Sequence, residues 1–142
     1  TSNLLTNLLT LVPEDLAADL RDPAARLRVI LEAARLDAPV NNVNVILPAA
    51  RTFRVEGQAL EFPAGTVVAA SIGTASMDPT RFPAPQQFDP ARPELAATAL
   101  VFNSVGFDPA PKPEARRVCP GRTVALRLAD DFLLAWRQVP RP

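Results

Sequence analysis

The chain has 142 residues, 48% of them hydrophobic and 21% charged, which is one domain's worth with a core rather than a disordered segment. Fifteen basic and fifteen acidic residues cancel, so no net field draws the chain to nucleic acid or to an anionic lipid surface. Histidine is absent and cysteine occurs once, at Cys119, which excludes Ser-His-Asp and Cys-His catalysis, histidine-ligated zinc and an internal disulfide within this chain.

The opening "TSNLLTNLLTLV" carries no basic n-region and does not read as a signal peptide. It reads as the tail of a helix over 3–12, which predicts that the chain is a piece of a longer one. "VPEDLAADLRD" predicts a second short helix, with Pro13 near its first position and acidic residues in its first turn. "DPAARLRVILEAARLD" is the clearest helix: Asp22 suits the N-cap, Pro23 the first turn, and Leu27, Ile30, Leu31 and Ala34 share one face. "VNVIL" favours a strand, "TFRVEGQALEF" alternates about Gly57-Gln58 as a hairpin, and "TVVAASI" follows the turn "PAG" as a third strand. The stretch "MDPTRFPAPQQFDPARPE" has neither helical nor strand period and reads as a packed irregular loop anchored by Phe82 and Phe88. From Thr123 to about Val139 a last helix is expected, with Val124, Leu128, Phe132, Leu133 and Trp136 on its inner side. No apolar run approaches the ~20 residues that span a bilayer, and the cytoplasm is the favoured location.

Two groups carry chemistry. Cys119 sits in "ARRVCPGR", where Pro120 favours the first turn of the following helix and Arg116, Arg117 and Arg122 stand close in sequence. A helix mouth and cationic neighbours favour the thiolate, the form that attacks electrophiles or binds metal. A nucleophile would want a base, which a chain without histidine does not supply in the usual form; an axial metal ligand needs none. Gly121 lets a flat group approach. A lone cysteine is also commonly a small core hydrophobe. Glu32 and Arg35, three residues apart on the clearest helix, share a face. Alone they make a solvated ion pair worth a few tenths of a kcal/mol, roughly.

The order of these features is what sharpens them. Glu-x-x-Arg on a helix, a small sheet, "PAGT", "DPTRFPAPQQFDPAR" and then "RxCxG" opening a helix resembles the C-terminal third of a cytochrome P450, from about residue 13 to 139. The resemblance implies an α+β, mainly α fold: the proximal, haem-side part of the cytochrome P450 fold with a small β-sheet and a proline-rich meander. It divides a single unit, 1–142, into helices (1–38), the small sheet (39–75), meander and haem loop (76–118) and C-terminal helix (119–139), a fragment of a larger haem-thiolate domain. It implies haem b as cofactor, Cys119 as axial iron ligand, Arg117 at a propionate, Gly121 beneath the porphyrin and Arg51 or Arg54 at another propionate. It also implies a structural triad of Glu32, Arg35 and Arg92. Distal catalytic residues, carried by the family on a helix expected before Thr1, are not named by it.

The chain departs from the family's usual haem loop, Phe-x-x-Gly-x-Arg-x-Cys-x-Gly, by Lys112 and Ala115 in the first two slots. "VFNSVGFDPAPKPEARRVC" is longer than that loop, places Gly106 about a dozen residues before the cysteine, and "SMDP" lacks the usual arginine. These traits resemble the allene oxide synthase and hydroperoxide lyase clan, and imply rearrangement of fatty-acid hydroperoxides without O2 or a reductase. Two alternatives stand beside it: an O2- and reductase-dependent monooxygenase, and a non-catalytic remnant serving as an interaction domain. The partners implied are a small lipophilic substrate, the N-terminal part of the same chain and, for a monooxygenase alone, a redox partner.

Overall fold

The computed structural model describes residues 2–16, 19–93, 95–102, 104–105, 119–136 and 138. Helix α1 spans Ser2–Leu11 and buries Leu4, Asn7 and Leu8, with Val12 just beyond it. Helix α2 spans Pro23–Leu36; Asp22 caps it by accepting the Ala24 N–H at 2.9 Å, and Pro23 stands in the first turn, where a missing N–H costs nothing. Its apolar face is wider than expected. Val29, Ile30, Leu31, Ala33 and Ala34 are all buried, and so are Glu32 and Arg35.

Between α1 and α2 the expected short helix does not form among the described residues. Isolated turns replace it: Leu16 donates to the Pro13 carbonyl and Asp22 to that of Asp19, while the Asp19 side chain accepts the Arg21 N–H. The stretch is too short to repay helix nucleation, and its aspartates prefer to bond the backbone of turns.

After α2, strand β1 (Asn42–Ile46) leads to the hairpin of β2 (Arg51–Val55) and β3 (Gln58–Phe62), then to β4 (Val67–Ser71). The hairpin turns on Glu56 and Gly57, both at positive φ (49° and 82°), one residue before the expected pair. Two left-handed residues are what a tight turn needs to match strand twist. The third strand does not join the hairpin. β4 crosses back to pair antiparallel with β1, Asn42 opposite Ser71 and Ile46 opposite Val67, so two separate two-stranded sheets stand where one small sheet was expected. Leu47 and Thr66 extend that pairing beyond the strands.

β4 ends at Ser71, which caps the short helix α3 (Ile72–Ser76). The proline-rich stretch follows as irregular turns with Phe82 buried and Phe88 half-buried against the core. Helix α4 (Leu95–Thr98) and the short pair β5 (Leu100–Val101) and β6 (Ser104–Val105) lie within the segment expected to be loop. Helix α5 (Arg122–Trp136) packs on α2 and α1.

Its inner face is one residue out of phase with the expected stripe. Ala125, Ala129 and Leu133 are buried, Phe132 and Trp136 are half-buried, and Val124 and Leu128 are 62% and 45% exposed. The alanines win because they let α5 lie close to its neighbours, so the interface is tight where the side chains are smallest. The core joins α1, α2, α4, β5 and α5. None of the described helices is long and apolar enough to cross a membrane.

A cysteine-centred candidate site and its buried ion cluster

Cys119 lies immediately before α5, half-buried. Its backbone is held from both sides. The Cys119 N–H donates to the Phe102 carbonyl at 2.9 Å, and the Cys119 carbonyl accepts the Arg122 N–H at 3.1 Å. Gly121 continues the turn by accepting from Ala125. Phe102 has a positive φ of 54°, a strained conformation for a bulky residue that costs on the order of 1–3 kcal/mol. Its carbonyl receives the cysteine N–H. Phe102 and Cys119 are therefore neighbours, although sixteen residues of chain separate them.

Cys119 and Gly121 open on a cavity of about 420 Å3, lined also by Ala34, Ala38 and Val40 around the end of α2, by Ile72, by Leu100 to Phe102 and by Ala125. Asn3 and Leu4 of α1 complete its wall. Among the described residues that line it, Asn3 and Cys119 alone have polar side chains. The composition suits a flat apolar group approached by one sulfur. A Cβ built on Gly121 would stand 3.8 Å from Cys119 Sγ, in ordinary van der Waals contact with it, so Gly121 lies directly beside the sulfur. A planar macrocycle with a metal at its centre, haem, fits this donor set: among the described residues, one soft ligand and hydrocarbon walls. Asn3, Leu4 and Phe102 were invisible to motif reading, because nothing local in the sequence ties either segment to the cysteine.

The second cluster sits behind α2. Arg35 donates Nε to Glu32 Oε2 and Nη2 to Glu32 Oε1, both at 2.8 Å, and Arg92 donates Nε to Glu32 Oε1 at 2.9 Å. Both Glu32 and Arg35 are fully buried. The Asp89 N–H also reaches Glu32 Oε1. Arg35 spends its remaining donors on the Ser76 and Pro85 carbonyls, and Arg92 on those of Pro83, Ala84 and Gln87. The Arg35 guanidinium stands 5.0 Å over the Phe82 ring. Burial pushes the Glu32 carboxyl up, but the hydrogen bonds from Arg35, Arg92 and the Asp89 N–H outweigh it and hold the group below its ordinary value.

The structure thus brings Glu32, Arg35 and Arg92 together, and Cys119 with Gly121. Arg51 lies on the exposed hairpin, opposite Phe62, and is not among the residues lining the cavity. Arg54 is exposed on the same strand. Arg117, like Gly106, Lys112, Ala115 and Arg116, falls outside the described residues.

A cysteine just ahead of a helix, an apolar cavity beside it and a buried Glu-Arg-Arg cluster occur together in one fold. The sequence model of the family described as Cytochrome P450 matches residues 28–129. The chain belongs to the cytochrome P450 family.

Among curated relatives, (+)-menthofuran synthase from Mentha piperita is 31% identical over 59% of this chain and 17% of its own length. Cytochrome P450 71B29 from Arabidopsis thaliana is 27% identical over 65% of this chain and 18% of its own. Among solved structures, the putative thioether synthase SgvP, involved in the tailoring step of griseoviridin, matches 99% of this chain and 33% of its own at 27% identity, with a TM-score of 0.69. Mycobacterium smegmatis CYP164A2 with econazole bound matches 94% and 30% at 26% identity, also at 0.69. The chain spans about a sixth of these curated relatives and about a third of these solved chains.

Proposed function

We propose that the chain supplies the proximal wall of a haem-thiolate site, as part of a larger domain, with Cys119 as the axial ligand of haem b. One observation carries the reading: the sole cysteine of a cytochrome P450 family member opens, at a helix mouth, on an apolar cavity of about 420 Å3. Haem ligated by thiolate supplies O–O bond activation. The chain's own residues do the rest. Phe102 and the first turn of α5 fix the cysteine backbone, and apolar side chains line the cavity beside the sulfur. The Glu32-Arg35-Arg92 cluster ties the proline-rich meander to α2, and the family resemblance assigns Arg117, two residues before the cysteine, to a haem propionate.

Family membership best supports oxidation of a small lipophilic substrate as a monooxygenase, with electrons from a redox partner. Rearrangement of fatty-acid hydroperoxides is a second reading, favoured by the sixteen-residue excursion between Phe102 and Cys119 and by Met77 in place of the usual arginine.

Reconstitution with haemin, reduction and addition of CO test the site. The red-shifted Soret band of thiolate ligation is expected, and Cys119→Ser should abolish it. A chain that takes up no haem refutes the proposal and returns it to an interaction domain. Offering a fatty-acid hydroperoxide without reductase then separates the two chemistries: loss of the conjugated diene selects rearrangement, and an inert hydroperoxide selects monooxygenation.

A further inference from the structure

The buried face of α5 is made of Arg122, Ala125, Ala129 and Leu133, and along its middle the two alanines meet α2 and α1. Small side chains allow close approach, but they raise only low ridges, and low ridges do little to fix how far one helix lies along another. A polar contact supplies what the alanines lack. Arg26, near the start of α2, donates Nε to Asp130 Oδ1 and Nη2 to Asp130 Oδ2 (3.2 Å), a two-point fork across to α5. The same guanidinium donates Nη1 to the carbonyls of Leu20 (2.9 Å) and Arg21 (3.1 Å), so it is anchored on the opposite side as well. Arg26 is buried, and its planar fork has one good placement for a carboxylate.

From Asp130 the helix runs back eight residues to Arg122, about 12 Å at the α-helical rise, and Arg122 is bonded to Cys119. A helix is stiff along its axis, so a slip at Asp130 is carried to Arg122 and, through its hydrogen bond, to the Cys119 backbone. We propose that the Arg26–Asp130 pair sets the axial register of α5 on α2 and so positions Cys119 Sγ, making Arg26 and Asp130 positioning residues for the thiolate. Its bearing on haem rests on the reading of Cys119 given above; the register itself does not.

The test uses the haem-loaded chain with Asp130→Leu, Asp130→Asn and Arg26→Lys, the last keeping the charge but losing the fork. Asp130→Leu should load haem yet lose the thiolate Soret band of its ferrous–CO complex several times faster than the parent, at temperatures below unfolding. Arg26→Lys should fall between. A lowered melting temperature with an unchanged band and lifetime would make the pair a plain stabiliser and overturn the proposal. Should Asp130→Leu fail to fold, Arg26→Lys and Asp130→Asn decide by the same measure. A parent chain with no thiolate band refutes the haem reading instead. Register is then read on the haem-free chain from the iodoacetamide alkylation rate of Cys119, its sole cysteine. Asp130→Asn should change that rate several-fold, and an unchanged rate overturns the proposal.

Discussion

Three groups converge on the Glu32 carboxylate: Arg35 from its own helix, and Arg92 and the Asp89 N–H from the meander. The two readings of the Glu32–Arg35 spacing differ by an order of magnitude in energy. An exposed pair is worth less than about 1 kcal/mol, whereas removing one member of a buried cluster costs about 3–5 kcal/mol, because the remaining charges stay buried without their partner. Glu32→Gln should therefore lower the unfolding free energy by about 3–5 kcal/mol in urea titrations, a large share of the roughly 5–15 kcal/mol that folded domains possess. Haem incorporation should fall with it. The sign of the pH dependence follows from the lowered carboxyl. Its stabilisation is fully present above the ordinary glutamate value near 4.5 and is lost as pH falls toward the folded value. Urea midpoints measured from pH 7 down to pH 3 should drop through that window, and Glu32→Gln should flatten this part of the profile. The spacing of Glu32 and Arg35 was legible in the sequence, and the resemblance added Arg92. That the cluster is sealed from water was not, since burial depends on chain arriving from fifty residues and more away.

At the scale of elements, α2 was readable almost whole, because Asp22, Pro23 and a strong apolar period are all local signals. Helix α5 was readable as a helix but not in its facing. Alanine is nearly silent in a hydrophobic pattern, so large residues drew the expected stripe while Ala125 and Ala129 took the interior. Two substitutions check which face is inside. Ala129→Leu should destabilise by about 1–3 kcal/mol through overpacking, and Leu128→Ser should stay within about 0.5 kcal/mol, as exposed positions do. Thermal melts of both read the outcome; the reverse order would restore the expected stripe. The pairing of β4 with β1 was hidden for a related reason, since alternation marks a strand without naming its partner.

Across the whole molecule, α2 acts as a strut. Its first turns are tied to α5 through Arg26 and Asp130, and its last turns to the meander through Glu32 and Arg35. Among the described residues the cysteine is thus placed by contacts on either side of it in the chain, the Phe102 carbonyl before it and the Arg122 N–H after it. Replacing 106–115 with a short Gly/Ser linker, which keeps β6 and Arg117, should leave the ferrous–CO thiolate band where it was, and a shifted or lost band would show that the segment itself seats the sulfur. The Phe102–Cys119 hydrogen bond turns that segment into a detour with a closed base. Detours of this kind are forgiving, for doubling such a loop costs only about 0.6 kcal/mol of closure entropy. Insertions and deletions here therefore cost little in closure entropy, so a change of length in this segment leaves the base that carries the cysteine closed.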